Sequence, residues 1–273
     1  MQAQIVLVGC GNMGFAMLSG WLEKKVVQPE SVWVVEPTES LLDRAANLGV
    51  HAVTGAADLP PDLNARLLLF AIKPQLMDAV LPAYEALVTH ANPAIVSVAA
   101  GIGVDRFEMA YGSSRAVIRV MPNTPSAVGQ GMMVIYANPQ VSQVQLDLVH
   151  LLMEASGKAA IIDDEALMDA VTAVSGSGPA YLFHMVEALR QAAHAAGLPG
   201  DLAHLLAMQT ITGAANYADA ASDDVAKLRE QVTSANGTTA AALAVLMREK
   251  NGLVALMTEA VEAARNRSRE LGS

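Results

Sequence analysis

The amino-acid sequence predicts an α/β protein in two parts: a mostly parallel sheet covered by helices, then an all-helical region. Three observations carry this. Up to about residue 160, short β-branched runs alternate with helix-like stretches; the runs are apolar at successive positions; from Glu165 onward Ala, Leu and Met dominate, with hardly any β-branched clusters. Alternation of strand and helix implies βαβ units and parallel pairing. Apolar residues at every position imply strands covered on both faces. Ala- and Leu-rich stretches with helical spacing imply helix.

In chain order the strands fall on "QIVLV", "SVWVVE", "RLLLFAI", "AIVSVAA", "AVIRVMP" and "GMMVIYA", and a helix follows the first of them over "FAMLSGWLEKK". After "AAIIDD" the helical half is punctuated at "SGSGP" (175–179), "AGLPGD" (196–201), "ASDD" (221–224), "SANGTT" (234–239) and "KNG" (250–252). Gly, Pro and cap residues cluster there, as helix ends require. The change of character sets an expected boundary near residue 162: residues 1–162 form a dinucleotide-type domain and residues 163–273 a helical one. The helical half has so little polar surface that its apolar faces call for helix pairing between subunits. The alternative is a long groove filled by the same chain.

Composition narrows the function classes. A 273-residue chain that is 53% hydrophobic has ample material for a core. Its 17 basic against 27 acidic residues leave a net charge of -10, which disfavours nucleic acid and anionic membrane as partners. The N-terminus lacks a basic start, and no uncharged segment reaches the roughly 20 residues that span a bilayer without Gly or Pro interruption. The lone Cys10 precludes an internal disulfide framework or a multi-cysteine zinc site and fits a reducing cytosol. These features predict a soluble, cytoplasmic protein.

"VGCGNMG" places Gly9, Gly11 and Gly14 between a buried strand and a helix. There Gly9 makes the turn and Gly11 admits a pyrophosphate; Gly14 lets helix and strand pack closely, while Asn12 and Met13 present amides or side chains. A turn without ligand is the plainer alternative. Glu36 ends the next strand, where an acid bonds the adenosine ribose and favours NAD over NADP. Alternatively it faces solvent, and Thr38, Ser40 and nearby backbone take a 2′-phosphate; the nearest following base is Arg44. "AIKPQ" (71–75) and "AAG" (99–101) lie at later strand ends, where ligands of open sheets bind. Lys73, held extended before Pro74, is placed to meet a phosphate or ribose, or is an ordinary surface lysine.

Alcohol oxidoreductases usually move a hydroxyl proton with His or Lys. Here the histidines lie in crossovers (His51, His90) or on helical patterns (His150, His184, His194, His204), so chemistry without a strong base fits better. Ser234, Asn236, Gly237, Thr238 and Thr239 gather at the start of an Ala-rich helix, where free amides and hydroxyls suit a carboxylate. The same residues also make an ordinary helix cap. Cys10 reads as a small apolar filler of the glycine loop, with a redox switch the minority reading. "SGSGPAY" reads as a helix junction whose small residues permit crossing and which borders the site.

"VGCGNMG", "AIKPQ", "RVMPNTP" (119–125), "AVTAVSGSGPAY" (170–181), "VTSANGTTAAAL" (232–243) and "AVEAARNRSREL" occur in order. Together they resemble the pyrroline-5-carboxylate reductase family over essentially the whole chain. The resemblance implies a Rossmann-like N-terminal domain and a helical domain that interlocks with a partner's into homodimers, often in larger rings, with the active site between the domains. It implies reduction of the cyclic imine 1-pyrroline-5-carboxylate to L-proline by NADPH or NADH, the last step of proline synthesis, without metal or covalent intermediate. By position, Gly9, Gly11, Asn12, Met13 and Gly14 would bind the pyrophosphate, Ala71, Ile72, Lys73 and Pro74 would line the cofactor's path, Ala100 would also contact the cofactor, and Asn123 would sit near the nicotinamide. Ser234 and the amides of Gly237 and Thr238 would hold the substrate carboxylate, Thr239 would reach the ring nitrogen, and Glu165 and Thr172 would complete the wall.

The chain departs from the family's usual pattern at Asn236-Gly237, where two glycines are common, and at Glu36-Pro37-Thr38, where a Ser-containing sequence is usual. Two rivals remain. A β-hydroxyacid dehydrogenase would need a helical-domain lysine, for which only Lys227 and Lys250 follow Lys158, neither in a polar motif. A non-catalytic dinucleotide sensor would have no reason to keep "SANGTT".

Overall fold

The computed structural model describes residues 4–272. Eight strands form one sheet: β1 Gln4–Val8, β2 Val32–Val35, β3 His51–Val53, β4 Ala65–Phe70, β5 Ala94–Ser97, β6 Val117–Met121, β7 Gly131–Ala137 and β8 Gly157–Ile162, in the order 3-2-1-4-5-6-7-8. The helices in the same stretch are α1 Asn12–Glu23, α2 Glu39–Ala46, α3 Met77–Val80, α4 Glu85–Ala91, α5 Val104–Tyr111 and α6 Gln143–Glu154. Short α7 (Met168–Val171) then runs into a π-helical turn at Thr172–Gly176. The helices α8 Gly178–Ala195, α9 Gly200–Ala220, α10 Val225–Gln231, α11 Thr238–Leu246 and α12 Leu253–Gly272 complete the chain. Their starts fall at the five punctuated stretches.

Alternation along each strand sends residues to two separate cores. Ile5, Leu7, Val34, Leu67, Leu69 and Val96 face α1 and α6, where Met17, Leu18, Trp21, Val149 and Leu152 are buried. Val6, Val8, Leu68, Phe70 and Ile95 face the other way, onto Met77, Tyr84, Val88 and Phe107. Each fully buried aliphatic or aromatic side chain contributes roughly 1.5–3 kcal/mol. This double burial is why the strands are apolar at every position.

All strand pairs are parallel except β6 with β7. The reason is length: a parallel return needs a crossover of about a dozen residues or more. Between Met121 and Gly131 the chain makes only the 3-10 turn Thr124–Val128 and a left-handed Gly129, so it comes back antiparallel. Parallel order returns at β8 because α6 supplies a crossover. Strands β3 and β8 were not foreseen: "HAV" is three residues long, and "GKAAII" opens on Gly and Lys.

The chain divides into two compact units. The first runs to Ser177 and takes in the end of the chain from Ala264; the second is Gly178–Ala263. The expected boundary at 162 marks the end of the last strand, but the first unit keeps the segment beyond it. Side-chain bonds explain this. Glu165 pairs with Arg119 at 2.6 Å and accepts the Val104 amide at 2.9 Å, and the Asn123 amide nitrogen donates to the Ser175 carbonyl at 3.1 Å. Ser268 on the last turns of α12 donates to Asp169 at 2.7 Å.

Candidate active site

In the first unit the order of strands reverses at β1, which lies between β2 and β4. The carboxyl ends flanking such a reversal are where ligands of open sheets bind. A cavity of about 460 Å³ lies there, and its wall brings together Gly9, Gly11, Glu36, Ala71, Ile72 and Lys73. These six come from three strand ends and were all expected at the site.

Gly9 and Gly14 are required by space. Gly9 has φ +88°, and a Cβ there would come within 2.7 Å of the Ala71 carbonyl oxygen; a Cβ on Gly14 would collide with the Gly9 carbonyl. At Gly11 a Cβ would meet nothing within 4 Å, so the backbone faces open space. Gly11 is also the N-cap of α1, with no side-chain cap bond and no acidic residue in the first turn. The amides of Asn12, Met13 and Gly14 thus open α1 with no capping side chain at Gly11 and no acid in the first turn, which suits an anionic group.

Glu36 is 6% exposed, which removes the reading that it faces solvent. Its carboxylate accepts the Cys10 amide at 2.8 Å and the Thr38 amide at 2.9 Å. Arg44, from α2, also reaches the glycine loop, donating to the carbonyls of Cys10 at 2.8 Å and Gly11 at 3.3 Å while stacking 3.9 Å above the Phe15 ring. The two side chains grip the loop by its amide and carbonyl edges. Cys10 is buried beneath them; burial, partly offset by Arg44, pushes its thiol up to about 11. That leaves an unreactive filler.

Lys73 is exposed and precedes the 3-10 turn Pro74–Leu76. Ala100 lies in the turn after β5. Asn123 follows β6 and is spent as a brace: its Oδ1 accepts the Met132 amide at 2.9 Å while its Nδ2 holds the Ser175 carbonyl. Thr172 donates to the Met168 carbonyl at 2.8 Å at the start of the π turn. That turn is packed against β6, for a Cβ on Gly176 would collide with Met121. The Ser175 hydroxyl is buried there without a hydrogen-bond partner. Glu165, bound to Arg119 and the start of α5, is a pin between elements.

In the second unit, Ser234–Thr239 turns into α11. Asn236 takes a left-handed φ of +59°, and the Gly237 amide donates to the Ser234 carbonyl at 3.0 Å. Asparagine tolerates that conformation by virtue of its short polar side chain. Gly237 is the N-cap, and the helix therefore starts without a side-chain cap bond there.

Sequence reasoning missed Arg44, Arg119 and Ser175. A charge inside the apolar run "AVIRVMP" is a signal for Arg119; Arg44 carries none, since its partners lie 33 and 34 residues away. Among the described residues no group of three or more His, Cys, Asp or Glu side chains is placed to hold a metal ion, and no helix is long and apolar enough to cross a membrane.

Comparison with known proteins agrees with this geometry. Residues 165–271 match the family model for pyrroline-5-carboxylate reductase dimerisation, and residues 4–101 match a model described as NADP oxidoreductase, coenzyme F420-dependent. A pyrroline-5-carboxylate reductase of Synechocystis sp. is 39% identical over 100% of this chain and 99% of its own length. The structure of a pyrroline-5-carboxylate reductase from Coxiella burnetii matches with a TM-score of 0.92 at 33% identity, covering 100% of both chains. That of Plasmodium falciparum pyrroline carboxylate reductase, with NADP bound, matches with a TM-score of 0.85 at 28% identity over 99% of this chain and 98% of that one. With a full-length relative at that identity and its helical half matched by the dimerisation model, the chain belongs to the pyrroline-5-carboxylate reductase family.

Proposed function

We propose that the chain reduces 1-pyrroline-5-carboxylate to L-proline with hydride from NADH or NADPH, the activity of its family, and that the two units carry separate parts of the task. The observation that supports this most is the pairing of two uncapped helix starts: α1 behind Gly11 in the first unit and α11 behind Gly237 in the second. One suits a pyrophosphate and the other a carboxylate.

The first unit fits the dinucleotide. The amides of Gly11, Asn12 and Met13 receive the pyrophosphate, with Gly14 allowing α1 to start so close to the strand; Glu36 faces the ribose, Lys73 a phosphate, and Ala71, Ile72 and Pro74 shape the path. Ala100 and Asn123 stand at the ends of β5 and β6, on the nicotinamide side of the sheet. When bound, the dinucleotide supplies hydride to the imine carbon.

In the second unit Ser234 and the amides of Gly237 and Thr238 hold the substrate carboxylate. The Thr239 hydroxyl oxygen accepts the N–H of the protonated ring nitrogen and orients it while hydride adds to the imine carbon and the C=N electrons become the nitrogen's lone pair. Glu165 and Thr172 act by bracing the wall. A protonated imine is already electrophilic, so alignment supplies much of the rate and no strong base is needed. The helical unit pairs with that of a second copy, and closed arrays of such pairs form a larger ring. A reducing compartment such as the cytosol suits a chain whose only cysteine is a buried thiol.

The test is oxidation of NADH and NADPH by the purified chain with and without 1-pyrroline-5-carboxylate, with proline measured as product. Imine-dependent oxidation yielding one proline per nucleotide is expected. Nucleotide binding without turnover of the imine would favour the sensor reading instead.

A further inference from the structure

We infer that the cleft selects NADH over NADPH, and that Glu36 sets the choice. This rests on the reading of the cleft as a dinucleotide site. The two cofactors differ only at the adenosine ribose, where one carries a 2′-hydroxyl and the other a dianionic phosphate. In open sheets of this order the ribose lies at the end of the second strand, and β2 ends next to Glu36.

Three observations decide the sign of the charge there. First, the Glu36 carboxylate is buried and held by two backbone amides, those of Cys10 and Thr38. It cannot swing into solvent when an anion arrives, and its charge acts through a medium of low dielectric. Each oxygen keeps a lone pair, so the group accepts bonds from ribose hydroxyls without giving up the loop. Second, the next charged residue is Glu39, in the first turn of α2, which adds charge of the same sign where a phosphate would seek the helix start.

Third, Arg44, which shares the glycine loop with Glu36, is not among the residues that line the cavity. Arg44 is turned onto the carbonyls of Cys10 and Gly11 and the face of Phe15. Among the described residues Lys73 is the one cation lining the cavity, and it follows β4, with β1 standing between that strand and β2. The rest of the wall near Glu36 is Pro37, Thr38, Thr54, Gly55 and Ala56, all uncharged. A hydroxyl is well received there and a phosphate is repelled.

The test is calorimetric binding of NADH and of NADPH to the full chain without imine. NADH is expected to bind at least tenfold more tightly. Equal affinities, or tighter NADPH, would overturn the inference while leaving the dinucleotide site standing; binding of neither would overturn the site and the inference together. Glu36→Gln keeps the shape and removes the charge, and is expected to tighten NADPH at least fivefold with NADH changed less. Should that variant fail to fold for want of the loop bonds, the wild-type ratio remains decisive. Lys73→Ala is expected to weaken both nucleotides alike; selective loss of NADPH would place the phosphate at Lys73 and contradict the inference.

Discussion

The two units of the chain are built to different degrees of completion. In the first, both faces of the sheet are covered and two clusters of buried side chains fill the space beneath. In the second, Gly178–Ala263, the buried hydrophobic side chains among the described residues are Ala203, Ala207 and Leu228, while Phe183, Leu205, Val225 and Val254 are each more than 60% exposed. Burial of a large apolar side chain is worth roughly 1.5–3 kcal/mol, so the exposed faces of α8 and α9 represent stability that a single copy leaves unclaimed. Monomers rarely expose contiguous apolar surface on this scale. The first unit finds its partners within one chain; the match of residues 165–271 to a dimerisation model supports association of the second with another copy.

The largest expected effect breaks that difference directly. Leu205→Asp places a charge on the exposed face of α9, where Leu205 is 61% exposed in one chain. Sedimentation should show loss of the oligomer, with imine reduction lost alongside. A charged residue that left association intact would mean that another face does the pairing.

Next in size is Thr239→Ala. A positioned hydroxyl that orients the imine nitrogen is worth about a hundredfold in turnover through alignment. The expected signature is a fall in kcat, with melting temperature and nucleotide affinity unchanged. Unchanged kcat would remove Thr239 from the chemistry and leave the amides of α11 as the substrate's whole support.

A smaller effect sharpens how the first unit keeps the segment beyond β8. Glu165→Gln removes the charge paired with Arg119 while preserving shape. Breaking a partly buried pair of this kind should cost about 1–3 kcal/mol, below the figure for a wholly buried one. A lowered melting temperature with KM for the imine unchanged is expected for a pin; a raised KM at constant stability would make Glu165 a substrate contact.

Cys10 gives the smallest effect. Burial raises its thiol to about 11 in the folded chain, against an ordinary value of 9.0. The folded state holds this proton more firmly than the unfolded one, so the contribution to stability is present below about pH 9 and is lost as pH rises toward 11. Alkylation at pH 8 should be slow in the native protein and fast after denaturation. Rapid native labelling would return Cys10 to the redox-switch reading.

Much of the fold was legible because hydrophobic periodicity reports burial directly. Runs such as "RLLLFAI" are apolar at each position for the physical reason that both faces are covered, and the breaks at 175–179, 196–201, 221–224, 234–239 and 250–252 carry the residues that helix ends need. The short β3 lay below that signal, and the reversal at β7 follows from loop length, which a list of strands does not convey. At the site, the glycine loop and Glu36 were legible because their spacing is local. What Glu36 bonds to was not: its Cys10 partner lies 26 residues away, as Arg44 lies 34 from the carbonyl it holds. Whether Ser, Asn and Thr at a helix start cap it or leave it open likewise depends on backbone angles, here a left-handed Asn236 followed by a Gly237 cap without a side chain.

The most direct measurement is imine reduction and nucleotide binding per protomer, followed together as the protein is diluted and in Leu205→Asp. If the first unit is complete within one chain and the second is completed by another copy, activity will fall with the dimer population while nucleotide affinity per protomer stays constant. A monomer that reduces the imine at the undiluted rate would contradict the division of labour between the two units.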